Sequence, residues 1–520
     1  MTPLQYKEFG SVTSIKGCIV TVTGLDNCIN GQLVRFGYGT EGIIIGFDEH
    51  ETQILLIRQK ENLATGDKAV MTLEPFNTPV GKNFVGRVIN PLGEPLDNKG
   101  PLIPDEYYPI FADSPSVMDR APVANTLETG IKILDSMIPI GKGQRQLILG
   151  DKMTGKTTIG TDIILNQKGK DIVCIYCCIG KAKTAMTKVV DIFKMHDAFE
   201  YSMVVAAIAG TSPGQQYLVP YVGCSIGEYF MRKGGHVLIV FDDFTRHAWA
   251  YRELSLLLGR PPGRESYPGD VFYLHSRMIE RAAQLSDELG GGSMTFFPII
   301  ELLEGDFAGY VPTNLVSMTD GQIYLSTPLF GEGFKPAIDI GLSVSRIGSK
   351  VQWPAMKKLA KSLRLEYLQY RELLMVSRLK AGGAKTEEGA NEMKGGELLA
   401  KLLTQERDKP FDMAQEVILF YGLSKKLIYE LDDKRIMRLK GEIGKFAVEK
   451  YPDLVKKISE EKDLTEDIVK KLDEFYKEYT DILHKEQIED EGELEDELEE
   501  GAEKESAEAE EKNEEFSEEA

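Results

Sequence analysis

The chain has 520 residues, 42% hydrophobic and 28% charged, with a formal net charge of −21. That balance fits a globular protein of about three or four domains and argues against nucleic-acid binding through a global basic field. No run of apolar residues is long enough to span a membrane, and the opening MTPLQYKEFG lacks a basic-then-apolar secretion pattern, so a cytoplasmic location is expected.

From residue 8 the chain carries short β-type runs, GSVTSIKGCIVTVTGLDNCINGQLVRF, TEGIIIGF and ETQILLIRQ, punctuated by Gly, Asn and Asp. This spacing predicts a small β-barrel over residues 1–72. Residues 73–355 alternate strand and helix patterns, which predicts an α/β layer domain. From Trp353 the texture changes to helical periodicity, as in AMKKLAKSLRLEYLQYRELLMVSRLK, and a helical domain is expected over 356–486, interrupted by AGGAKTEEGANEMKGG. Residues 487–520 are low-complexity acid. Glu489–Ala520 holds 18 acidic and 2 basic residues, so most of the net charge resides there and a disordered, solvated tail is expected.

The six cysteines, Cys18, Cys28, Cys174, Cys177, Cys178 and Cys224, form no metal-ligand spacing with the histidines. Cys174 and Cys177 make a C-x-x-C, but within the strand-like IVCIYCCIG residues three apart point to opposite faces. They are expected to pack rather than to react.

Chemistry enters at GDKMTGKTTIG, Gly150 to Gly160. Gly150, Gly155, Lys156 and Thr157 satisfy G-x-x-x-x-G-K-[ST], with the strand-like RQLIL before and the helix-like KTTIGTDIILNQ after. In such a loop the backbone from Gly150 through Asp151, Lys152, Met153 and Thr154 to Thr158 wraps nucleotide phosphates. Lys156 reaches the β- and γ-phosphates, and the Thr157 hydroxyl takes Mg²⁺. The apolar HVLIVFDD ends in Asp242 and Asp243, and Asp242 is expected to hold the same Mg²⁺, directly or through water.

These residues, with longer stretches around them, carry a resemblance. GRVINPLGEPLD (86–97), ETGIKILDSMIPIGKGQRQLILGDKMTGKTT (128–158), RPPGRESYPGDVFYLHSRMIERAA (260–283) and KPAIDIGLSVSRIGS (335–349) resemble the alpha subunits of F-type (F1) rotary ATP synthases. The resemblance implies a RecA-like nucleotide-binding core between an N-terminal six-stranded barrel and a C-terminal helical domain. It implies ATP or ADP with Mg²⁺ as ligands and a ring of three alpha and three beta chains around a gamma stalk. A delta/b peripheral stalk, a membrane sector driven by a proton gradient, and a place on the cytoplasmic face of the membrane come with it. It also implies that alpha sites hold nucleotide without turnover, that Arg346 is an arginine finger reaching a neighbouring beta site, and that Ser343 helps position it. Lys335, Pro336, Gln405 and Arg407 stand where the family builds its adenine pocket.

In the catalytic relatives a Glu orients the attacking water just after the strand that follows the loop's helix. Here that place holds Lys181, an ammonium with no acceptor, expected to touch the γ-phosphate and leave the site silent. Three departures accompany it. Lys152 and Met153 replace the usual Arg and Gln of the loop, only Met1–Glu8 precedes the barrel where a stalk-gripping helix is usual, and the acidic tail is additional. An alpha-like chain in a specialised motor remains open beside the synthase reading, as does, more remotely, a self-sufficient hexameric ATPase.

Overall fold

The structure, a computed structural model, describes residues 8–379 and 387–483, and the acidic segment expected over 487–520 lies outside the described residues. Two units divide the chain: Met1–Gln352 with Thr404–Pro410, and Trp353–Leu403 with Phe411–Ala520.

In the first unit, β1 (Phe9–Lys16), β2 (Ile19–Thr23), β3 (Gln32–Phe36), β4 (Glu41–Phe47), β5 (Thr52–Arg58) and β6 (Lys68–Pro75) close into a barrel in the order β1-β2-β5-β4-β3-β6. Side chains alternate across a strand, so every second residue faces inward. Val20 and Val22 of β2, and Ile54 and Leu56 of β5, fill the interior. Leu55 and Ile57 face the other way and join the core of the neighbouring α/β domain. This explains why β5 reads as an unbroken apolar run: both of its faces are buried.

The α/β domain is built on β7 (Val88–Ile89), β8 (Leu147–Gly150), β9 (Ile172–Ile179), β10 (Ser202–Ala207), β11 (His236–Asp242), β12 (Ser293–Glu301), β13 (Gly321–Leu325) and β14 (Val344–Ser345). Their spatial order is β14-β13-β8-β12-β11-β9-β10-β7. Strands β7 to β13 are parallel, and β14 returns antiparallel along β13. Parallel strands bury both faces, hence IVCIYCCI and HVLIVF. They also gather their carboxyl ends, Gly150, Ile179, Asp242, Glu301 and Leu325, along one rim, where open α/β sheets bind ligands.

Cys174, Cys177, Cys178 and Cys224 are buried and free, and burial drives the thiols upward in pKa, Cys178 to about 12. They pack, as expected. Helix Pro213–Arg232 lies against β9 through Gly223, where a Cβ would stand 2.4 Å from Cys177 Sγ.

In the second unit the described helices are Pro354–Leu379, Glu387–Leu403, Met413–Ser424, Asp433–Lys450, Pro452–Glu461 and a last one over 466–483. Asp412 starts the third with a capping box shared with Gln415. The Tyr476 hydroxyl donates to the Ile418 carbonyl at 2.8 Å and ties the last helix to the third.

The contact at Gly223 gives a test of the packing. Gly223→Ala gains helix propensity of up to about 1 kcal/mol but overpacks the strand at a cost of about 1–3 kcal/mol. The expected result is a lower urea midpoint for the full-length chain, recovered in part when Cys177→Ala is added.

Candidate functional site

The phosphate loop spans the gap between β8 and helix Lys156–Leu165. It turns through left-handed backbone at Met153 (φ 65°) and Gly155 (φ 99°), the second a conformation that suits glycine. Asp151 fastens the loop to two other segments, its carboxylate accepting from Gly305 N at 2.6 Å and Thr327 Oγ1 at 2.8 Å. Thr154 Oγ1 donates to the Asp151 carbonyl at 2.8 Å. Lys156 Nζ donates to the carbonyls of Gly150 (2.8 Å) and Asp151 (2.5 Å), and burial holds its ammonium below the ordinary lysine pKa. Lys152 and Met153 face solvent, and Thr158 is partly buried in the helix's first turn.

Asp242 ends β11 with no exposed surface. Its Oδ2 accepts from Thr157 Oγ1 at 2.7 Å and from the Tyr176 hydroxyl at 2.5 Å. Its Oδ1 forms an ion pair with Lys181, whose Nζ also donates to Thr157 Oγ1 at 3.0 Å. Asp243 turns the other way and caps helix Phe244–Leu257, accepting from Arg246 N at 2.8 Å; burial, helped by the charge of Asp242, raises its carboxyl to about 6.

The structure therefore brings Thr157 and Asp242 together and adds two groups. Tyr176 was not singled out in the sequence, although period-2 alternation puts it on the same face of β9 as Cys178, which pairs in register with Asp242. Lys181 lies on Asp242 and Thr157. A hydroxyl and a carboxylate are donors that suit Mg²⁺. With an ammonium already touching both, these residues as arranged do not fit a divalent cation. Among the described residues no group of three or more His, Cys, Asp or Glu is placed to hold a metal ion.

The expected adenine-pocket residues assemble in part. Gln405 N donates to the Lys335 carbonyl at 2.7 Å, so Gln405 lies beside the Lys335-Pro336 step. Its side-chain oxygen accepts from Lys132 N at 3.1 Å, and its amide nitrogen donates to the carbonyls of Gly130 (2.7 Å) and Lys409 (2.9 Å). Gln405 thus pins segment 404–410 to the chain around residue 130. Arg407 projects outward, 82% exposed, and pairs only loosely with Asp408 at 3.8 Å. Asp408 N donates to Asp162 Oδ1 at 3.1 Å, which ties the same segment to the helix that follows the phosphate loop.

Arg346 lies at the other end of the sheet. Its backbone N donates to the Asp320 carbonyl at 2.8 Å, and Ser345 pairs with Gly321 at the start of β13. Gly150 pairs with Leu325 at the finish of β13. The two levels are four residue steps apart along β13, about 13 Å at roughly 3.3 Å per step. Arg346 is exposed, and among the described residues no hydrogen bond or ion pair holds its guanidinium. Ser343 is buried: its hydroxyl donates to the Asp339 carbonyl at 2.5 Å and accepts from Tyr324 N at 2.9 Å, fixing segment 339–345 to β13. Arg145 grips Asp320 with Nε at 3.0 Å and Nη2 at 2.8 Å, so the footing of Arg346 is rigid.

A phosphate loop and a buried aspartate at the carboxyl rim of a parallel sheet define a phosphate-loop nucleotide-binding protein. The nucleotide-binding domain of the ATP synthase alpha/beta family matches residues 130–345, and the C-terminal domain of the ATP synthase alpha/beta chain matches 352–479. The ATP synthase subunit alpha of Clostridium acetobutylicum is 44% identical over 480 residues, covering 92% of this chain and 95% of the relative. That of Clostridium botulinum strain Hall is 43% identical over 482 residues, 93% and 95%. That of Caldanaerobacter subterraneus subsp. tengcongensis is 44% identical over 470 residues, 90% and 92%. The chain belongs to the ATP synthase alpha/beta family, on its alpha-subunit branch. No helix among the described residues is long and apolar enough to cross a membrane.

Asp162 gives a pH prediction. Burial raises its carboxyl from 3.8 to about 7. The folded state therefore keeps a proton that the unfolded chain loses, and stability falls as pH rises from about 4 to about 7. Asp162→Asn keeps an acceptor for Asp408 N and removes the titration. The variant's melting temperature should exceed that of the wild type increasingly over this window and by a constant margin above it, as read by calorimetry across pH.

Proposed function

We propose that this chain is the nucleotide-holding alpha subunit of the F1 sector of a rotary ATP synthase, which makes ATP from ADP and phosphate at the expense of a proton gradient. Its partners in that assembly are beta subunits in an alpha3beta3 ring, the gamma stalk, and the delta/b peripheral stalk. The membrane sector is reached through the complex, on the cytoplasmic face of the membrane. The chain's own site holds ATP or ADP on Gly150–Thr158, with Lys335, Pro336 and Gln405 beside the base and Arg407 at the pocket's outer edge.

The observation that carries this reading is the separation of Arg346 from the loop of its own chain. An exposed guanidinium without a partner among the described residues, its backbone anchored about 13 Å of strand from its own phosphate loop, serves a neighbour's site. Guanidinium suits that task because it is planar, always charged and able to hold two phosphoryl oxygens together. Ser343 and the Arg145–Asp320 pair keep it aimed. The chain's own site lacks the complement: Lys181 is a donor without an acceptor, so no side chain there draws a proton from water as a catalytic glutamate would. Nucleotide bound here stabilises the ring and is not consumed.

Arg346→Ala in the assembled complex should lower ATP turnover by about 10³-fold or more while leaving nucleotide bound to this chain. Lys156→Ala should strip nucleotide from this chain instead. Turnover at the wild-type rate in the Arg346→Ala complex would show that the arginine acts elsewhere.

A further inference from the structure

Thr157 and Asp242 mark the place where a phosphate-loop site holds its divalent cation, and Lys181 already stands there. We propose that the Lys181 ammonium is the resident cation of this site, taking the role of Mg²⁺, so that the chain binds ATP or ADP without the metal. This rests on the reading that Gly150–Thr158 holds nucleotide.

Three features support it. First, protein groups already engage both oxygens of the carboxylate. Asp242 Oδ2 takes the hydroxyls of Thr157 and Tyr176, and Oδ1 takes Lys181. A metal bound to this carboxylate would lie beside a fixed positive charge.

Second, Lys181 is built in. Gly180 N donates to the Ala207 carbonyl at 2.7 Å, and Ala209 N donates to the Lys181 carbonyl at 2.9 Å, which locks the backbone on both sides of the residue's Cα. The side chain is only 18% exposed, and its partner Asp242 is fully buried. Pulling the ammonium away would leave that buried carboxylate without an opposite charge, a costly state.

Third, the donor count fits. An ammonium has three N–H groups. One goes to Thr157 and the charge is met by Asp242, which leaves donor capacity for a phosphate oxygen. The group thus bridges hydroxyl, carboxylate and phosphate, as the metal does in related sites. Lys156 supplies a second positive charge once its N–H groups turn from the Gly150 and Asp151 carbonyls to the phosphates.

The test is calorimetric titration of the full-length chain with ATP, once in excess MgCl₂ and once in EDTA. The two wild-type dissociation constants should agree within about fivefold. Lys181→Gln removes the charge at similar length and should bind at least about tenfold more weakly in EDTA than in MgCl₂, whereas Lys181→Arg should keep its EDTA binding. A wild-type chain that weakens by more than about fivefold in EDTA overturns the proposal and leaves the nucleotide site standing. Binding in neither buffer overturns the nucleotide site itself. A Lys181→Gln chain that binds as tightly as wild type in EDTA shows that Lys181 is not the cation. The wild-type ratio decides without any variant, so a poorly folding substitution does not weaken the test.

Discussion

Asp242 is an acid with no exposed surface at the end of a central strand, and the site is organised around it. An ionised carboxylate withdrawn from water costs several kcal/mol unless its charge and lone pairs are met. Here Lys181, from just beyond the end of β9, meets the charge, while Thr157 from the helix after the phosphate loop and Tyr176 from inside β9 donate to Oδ2. The Thr157 contact holds the phosphate-loop helix to β11, and the other two join β11 to its neighbour. One buried charge therefore sets the relative positions of the three elements that a nucleotide's phosphates would meet. Under the proposed function, the same cluster places a donor where hydrolysis would need an acceptor.

Two chemistries are separated by the parallel sheet. At the carboxyl rim lie the loop, Asp242 and Lys181. At the opposite rim Arg346 sits on Asp320, which Arg145 holds in a bidentate pair. Strand length keeps the two apart, so under the proposed function the chain would hold one nucleotide and reach toward another without either task disturbing the other. That division follows from β14 running antiparallel to β13, which returns the chain to the amino end of the sheet before Arg346 is placed.

Much of this was legible in the sequence, for identifiable reasons. The phosphate loop was, because its chemistry fixes glycine, lysine and threonine at set spacings, and Asp242 was, because a carboxylate ending an apolar strand stands out. Barrel, sheet and helical unit followed from periodicity and turn residues. The packing role of the cysteines followed from alternation in β9. What escaped was side-chain destination. A lysine at a strand end reaches a phosphate or a carboxylate equally well, and only the register of β9 against β11 sends Lys181 to Asp242. Tyr176 was hidden because an aromatic in a buried strand looks like core. Gln405 lies more than 230 residues beyond the phosphate loop, and its use as a backbone clamp on Gly130 and Lys132 is a non-local pairing that no local pattern announces.

Under the proposed function, Lys181 turns a phosphate-loop site into one that holds nucleotide without hydrolysing it. The most direct measurement is a crystal structure of the full-length chain grown with ATP and MgCl₂. Lys181 Nζ is expected within hydrogen-bonding distance of Thr157 Oγ1, Asp242 and a terminal phosphate oxygen, with no metal between them. A magnesium ion bound to Thr157, with Lys181 swung away from Asp242, would contradict it.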